Sequence, residues 1–347
     1  MKDTTGRALN RTYRIYFAVL GTFFAAAVVI SVVSGRYMLP VRDVLAMIGG
    51  KLFNTDAIWS VSAEKVLFEI RLPRVACAIL IGAALSMAGV CYQGMFRNPM
   101  VSPDILGAST GAGFGASIAI ILGAGYFVIT LSAFGFGMAA VLLAYLVSRL
   151  GKTNETLALI LGGMVISSLF SAGTTYLKLI ADTQEQLPAI TYWLMGSLTS
   201  IKVKDLVFVS VPVIAGMIPL FLLSWRLNLL TVEENTARSL GVNIRIMRLV
   251  VIICATLLTA SSVSVSGMIG WIGLVIPHFC RMIFGNDYRR LIPATALFGA
   301  TFLLVVDDVA RIATTEEIPI GILTSFIGAP IFLYLLFTGG GRKHAYS

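Results

Sequence analysis

Charge is what this sequence has least of. Only 12% of its 347 residues are Asp, Glu, Lys or Arg, where soluble domains carry about 25%, so a water-facing globular surface is excluded. Histidine is nearly missing. His278 and His344 are the only two; His344 lies in a polar tail, and His278, one turn before Arg281, reads as structural or interfacial rather than as a metal ligand. The four cysteines, Cys77, Cys91, Cys254 and Cys280, fall in or at the ends of apolar stretches without metal-ligand spacing. They are packing residues, and no disulfide framework is expected. No linker, charge block or low-complexity tract divides the chain, so residues 1–347 read as a single domain.

Groups that could converge on a reaction centre are also scarce, which argues against a membrane-embedded enzyme. Two short stretches imitate nucleotide-binding motifs. Gly151 to Thr153 spells the end of a phosphate-binding loop, but that loop needs a glycine at position 146, which is Leu146. Gly111 to Ala116 matches a loose dinucleotide fingerprint inside an apolar run, with no strand before it, so close helix packing explains it better.

What the chain has is apolar length. Apolar residues make up 57% of it and the mean hydropathy is +0.89. A helix needs about 20 apolar residues to cross the hydrocarbon core. Runs near that length occur at 15–33, 75–96, 105–122, 126–148, 156–180, 206–225, 249–266, 268–284, 291–306 and 320–337. The expected fold is an all-α polytopic membrane protein with about ten transmembrane helices. The first run follows Lys2, Arg7, Arg11 and Arg14 but lacks a convincing small-x-small cleavage site, so it is kept as a span.

The net charge of +9 is set by basic residues in short segments between spans, the pattern of membrane topology rather than of nucleic-acid binding. With the N-terminus inside, 16 of the 26 Lys and Arg fall in inner segments, and 11 of the 17 acids fall outside. Both termini are therefore expected in the cytoplasm.

Two connections exceed simple turns. Residues 34–74 contain a helically spaced stretch from Val41 to Phe53. Residues 226–248 place Glu233, Glu234 and Asn235 before Ala237, Leu240 and Val242, with a break at Gly241. This pattern predicts a short amphipathic helix that lies across the inner face, against a partner's groove in preference to lipid headgroups.

Small residues recur along the spans. Gly82, Ser86 and Gly89 form one face and Gly107, Gly111 and Gly115 another, which lets helix backbones approach closely in lipid. Thr259, Ser261, Ser262, Ser264 and Ser266 are expected to hydrogen-bond back to their own helix.

Six stretches in order carry a family resemblance: EIRLPR (69–74), Gly82 to Ala116, YWLMGSL (192–198), ARSLGV (237–242), Gly267 to Ala300 and EIPIGILTSFIGAPIF (317–332). Together the chain resembles the FecCD family, the permease subunits of bacterial type II ABC importers for iron-siderophore complexes, haem and cobalamin. The resemblance implies a multi-pass permease in the bacterial cytoplasmic (inner) membrane, paired with a second copy of itself. Two ABC ATPase subunits would hold ATP and Mg below it and a substrate-binding protein would dock outside, leaving this chain neither an enzyme nor a cofactor carrier. It also implies coupling to the ATPase through Glu234, Ala237, Arg238, Leu240 and Gly241. Docking of the outer binding protein would fall to Arg71 and Arg74 in RLPR and to Arg311. Many relatives have a single acid where this chain has Asp307 and Asp308 together. The motifs do not distinguish a siderophore from haem or cobalamin. An ion-coupled secondary transporter is the alternative, and it would need ionisable groups deep in the spans.

Overall fold

The computed structural model describes residues 2–35, 37–53, 59–150, 155–231 and 242–339, and among these it contains helices and turns but no strand. Helix α1 (Lys2–Val33) is followed by α2 (Val41–Phe53), as the apolar spacing predicts. Then α3 (Val61–Lys65) runs through a π-helical turn, Val66–Arg71, into α4 (Leu72–Met95). Next come α5 (Ala108–Ile121), α6 (Tyr126–Leu150), α7 (Glu155–Ile180), α8 (Gln186–Met195), α9 (Val203–Leu222) and the single turn α10 (Ser224–Leu227). The chain continues with α11 (Ile244–Ser266), α12 (Ile272–Phe284), α13 (Tyr288–Ile312) and α14 (Ile320–Gly339).

Seven of these segments are long and apolar enough to cross a membrane, and three shorter apolar ones, α5, α12 and Ile320–Tyr334 of α14, complete the ten expected runs. Two runs differ from expectation in how they begin. At about 1.5 Å per residue, α5 and α12 fall short of the roughly 30 Å hydrocarbon core. The apolar residues before α5 form a 3-10 turn, Pro103–Leu106, and those before α12 form an irregular turn. Such backbone is tolerated at membrane depth only where protein covers it. Here Gly163 of α7 lies against Ile105, and Gly273 of α12 against Pro103.

The core is α4, which packs on α9, α11, α12 and α13. Of its apolar window 83% is buried, against 17% for α1 and 28% for α7 and α9, so α4 is wrapped by protein while those three face outward. Glycine makes this packing close. A Cβ at Gly82 would lie 2.3 Å from the Gly299 carbonyl oxygen of α13, and one at Gly89 would lie 1.8 Å from that of Gly273. On the α5–α6 seam, Gly111 and Gly115 press on the carbonyls of Phe136 and Ser132, while Gly107 sits just before α5 at φ +86°, where glycine is favoured.

Five of the six hydroxyls of α11 behave as expected: Thr259, Ser262, Ser264 and Ser266 donate to carbonyls three or four residues back at 2.7–2.9 Å, and Ser261 does likewise. The four cysteines are buried and unpaired.

Candidate functional site

At one end of the bundle, the last turn of α1, the start of α4, the last turns of α13 and the α13–α14 connection converge on a cluster of charges. Arg74 is the hub. Its Nε donates to Asp307 at 3.0 and 3.1 Å, and its Nη2 to Asp307 at 2.8 Å. The same guanidinium reaches Glu317 at 3.2 and 2.9 Å. Arg311 pairs with Asp308 one turn back, and its Nε sits 3.3 Å from Asp307. That last contact lacks hydrogen-bond geometry, so charge alone acts there. Asp308 also accepts from the Ser31 hydroxyl at 2.7 Å.

Arg71 has a different task. It donates to the carbonyls of Val32 and Val33 at 2.8 and 2.7 Å and to that of Tyr37. Arg311 adds a bond to the Ser31 carbonyl at 3.2 Å. Two cations thus close the carbonyl end of α1, where the helix dipole is negative.

The structure therefore brings Arg71, Arg74 and Arg311 together, and it also buries them, at 4%, 5% and 6% exposure. An exposed arginine at the mouth could meet a partner's carboxylate directly; these three are already engaged within the chain. Asp307 and Asp308 explain why. The paired acids are wholly or nearly buried counter-ions to Arg74 and Arg311, rather than an addition to the exposed rim. Three guanidinium groups face three carboxylates, so the cluster is neutral. A buried ion needs that balance, because leaving one uncompensated costs several kcal/mol.

Glu317 connects this cluster to a wall between two cavities. Its carboxylate accepts from the Thr199 hydroxyl at 2.6 Å. Beyond it the end of α8, the α11–α12 turn and the start of α14 meet through their backbones. Ser197 N donates to Ser266 O at 2.7 Å and Ile320 N to Gly196 O at 2.9 Å. Gly196 and Gly267 have φ of +73° and +68°, and a Cβ on Gly267 would fall 2.2 Å from the Trp193 carbonyl. Trp271 holds a left-handed φ of +71° without being glycine, and its Cβ fills the space at Gly328; such strain costs about 1–3 kcal/mol and gathers at functional sites.

On one side of this wall is a cavity of about 710 Å³ lined by Leu194, Met195, Met268, Gly321, Ile322 and Phe326, with no ionisable residue in its lining. On the other side is one of about 670 Å³ lined by Tyr126, Trp193, Thr199, Ser266 and Glu317 among others. Helix α8 was missed as an element, although its YWLM stretch is part of the resemblance. Ten residues are too few to span, and the stop at Gly196 was the available signal. Glu317 is legible in the sequence as an outer acid and as the first residue of the 317–332 stretch of the resemblance, but not as a partner of Arg74.

Glu234, Ala237, Arg238, Leu240 and Gly241, the residues expected to couple to an ATPase, lie outside the described residues. The ends of their loop are anchored: Leu227, Leu230 and Ile244 are buried, Asn228 donates to Asp287 at 2.9 Å, Arg97 donates to Leu230 O at 2.9 Å, and Asn243 caps α11. His278 is partly buried in α12, and the described residues hold no group of three or more potential metal ligands.

The FecCD transport family matches residues 23–338. The chain is 42% identical over 317 residues to the molybdate import system permease protein MolB of Haemophilus influenzae, covering 90% of this chain and 93% of that one. It is 37% identical over 295 residues to the hemin transport system permease protein HmuU of Yersinia pestis, covering 82% and 86%. A solved structure described as a metal-chelate type ABC transporter in an inward-facing conformation superposes with a TM-score of 0.84 at 41% identity, covering 94% of this chain and 99% of that one.

Proposed function

Because the chain belongs to the FecCD transport family, it is a membrane permease of an ABC importer, and we propose that its cargo is a metal chelate of the iron-siderophore, haem or cobalamin kind. An outer binding protein delivers that cargo, and the permease passes it to the cytoplasm. The observation that carries this reading is the roomy, uncharged cavity beside α8 and α14. Its volume is in the range of pockets that enclose whole small molecules, about 300–1,000 Å³, and its methionine, glycine and aliphatic lining suits a bulky complex handed over without tight binding. Relatives named for molybdate and for hemin are consistent with a shared passage in which the binding protein makes much of the choice of cargo.

In this proposal the permease works as a homodimer in the bacterial inner membrane, with both termini in the cytoplasm. ATP and Mg belong to two partner ATPase subunits, which engage the 226–248 loop. The binding protein docks on the rim that Arg71, Arg74 and Arg311 brace.

Ion-coupled transport is less well supported. It calls for ionisable groups deep in the bundle. Among the described residues, the buried charges Arg71, Arg74, Asp205, Asp307, Asp308 and Arg311 lie within two turns of helix ends or at their junctions, and Asp104, in the turn before α5, is engaged by the Ser109 hydroxyl.

The test is reconstitution in liposomes with the cognate ATPase and binding protein. Uptake of the ligand that the binding protein retains is expected to need ATP and to ignore a protonophore. Uptake driven by a proton or sodium gradient without ATP would overturn the reading.

A further inference from the structure

Opposite the Arg74 cluster, the ends of α6, α7 and α11 enclose a second charged site with no part in the passage. Arg149, in the last turn of α6, donates to the Tyr145 hydroxyl at 3.1 and 2.7 Å and lies over that ring, 5.2 Å from its centre. Arg248 of α11 reaches Glu155 of α7 at 3.3 Å, and Arg245 approaches the same carboxylate at 3.7 Å. These side chains rim a crevice of about 50 Å³, whose floor includes Phe96, Leu159 and Ile252. A water needs only about 10–15 Å³ of such space, so the crevice admits a compact oxyanion.

Charge and surroundings point to one occupant. Three guanidinium groups face one carboxylate, which leaves the rim with two net positive charges. Arg149 meets a neutral hydroxyl, and Arg245 keeps 64% of its side chain exposed, so both retain attraction for an anion. The same helix ends expose Leu146, Leu150, Leu157, Leu161, Ile246 and Leu249, the surface that acyl chains cover. Arginines with an aromatic ring at the ends of spanning helices, above aliphatic flanks, match an anionic lipid headgroup.

We propose that the crevice between α6, α7 and α11 binds the phosphate of an anionic phospholipid, with Arg149 and Arg245 as its principal donors and Arg248 held in place by Glu155. The lipid then bridges the α6–α7 end to the first turn of α11, which leads directly from the 226–248 loop. Its occupancy sets how firmly that loop is anchored.

Native mass spectrometry of the purified permease with its ATPase subunits tests this, with phosphatidylglycerol and phosphatidylcholine as probes. Wild type is expected to retain phosphatidylglycerol and not phosphatidylcholine. Arg149→Gln with Arg245→Gln should weaken retention roughly thirty-fold, from the gain of about one attractive contact per arginine near an anionic surface. Arg149→Lys with Arg245→Lys should restore most of it, which separates charge from folding. Equal retention by wild type and the Gln pair would overturn the proposal, as would displacement of the lipid by millimolar inorganic phosphate, which would make free phosphate the ligand. Loss of ATPase subunits with lipid still bound would also overturn it, because the crevice would then be a protein contact.

Discussion

Arg74 and Asp307 are 233 positions apart in sequence and 2.8 Å apart in space. The pair ties the first turn of the most buried helix to the end of α13, and through Glu317 and Thr199 it reaches the cavity wall. A shift of the rim therefore has a hydrogen-bonded route to the cavity that Thr199 and Glu317 line.

Removing one partner from this cluster should be far worse than removing two. Arg74→Met leaves Asp307 and Glu317 without their main counter-ion and is expected to cost about 3–5 kcal/mol. Arg74→Met combined with Asp307→Leu should cost less than the sum of the single changes. Thermal melts in detergent measure this, and Arg74→Met melting at the wild-type temperature would show that the cluster bears no weight. Charge reversal at Arg74 or Arg311 would set a new acid against Asp307, so lost docking in such variants reports a damaged rim before it reports a lost contact.

Close glycine contacts should be position-specific. Gly89→Ala puts a methyl 1.8 Å from the Gly273 carbonyl, whereas Gly21→Ala on α1 meets nothing within 4 Å. Overpacking of the first kind costs about 1–3 kcal/mol. The expected outcome is poor yield and a lowered melting temperature for Gly89→Ala only, read by size-exclusion chromatography and thermal unfolding.

Cysteine labelling should read the topology directly. Cys77, Cys91, Cys254 and Cys280 are buried, so the native chain is expected to react little with a maleimide until denatured. His344→Cys should stay unlabelled by an impermeant reagent in spheroplasts, and Gln184→Cys, at an exposed position between α7 and α8, should be labelled. The opposite pattern would invert the assigned orientation.

The connection from Glu233 to Asn243, ahead of α11, should respond to bulk. Ala237→Trp or Gly241→Trp is expected to yield a permease that inserts and binds its outer partner but loses ATPase association or transport-linked hydrolysis. Normal transport with the ATPase bound would remove this loop from the coupling role.

Hydropathy made the long helices legible. The run at 126–148 became α6 at Tyr126–Leu150, and that at 156–180 became α7 at Glu155–Ile180, because lipid-facing helices must be apolar along their whole length. The same signal overran at 105 and 268, where apolar residues form turns buried between helices and composition cannot tell a turn from a span. Short polar-ended α8 fell below the length criterion. Of the site, the convergence of Arg71, Arg74 and Arg311 came from the resemblance, but their burial did not. It depends on which turn of α13 faces which turn of α4, a long-range register that no local pattern encodes.

The hydroxyls of α11 have a mechanical consequence. Thr259, Ser261, Ser262, Ser264 and Ser266 direct their protons to their own helix, so the second half of α11 meets its neighbours mainly through dispersive contacts. Cross-helix ties lie at its first turn, where Arg245 and Arg248 face Glu155, at mid-length, where Thr256 meets the Tyr92 hydroxyl at 3.2 Å, and at its last residue, where Ser266 O receives Ser197 N. The stretch between Thr256 and Ser266 is thus held mainly by dispersion, with directional ties at its two limits. A push at the first turn of α11 therefore arrives at the wall between the two cavities along one unbroken helix.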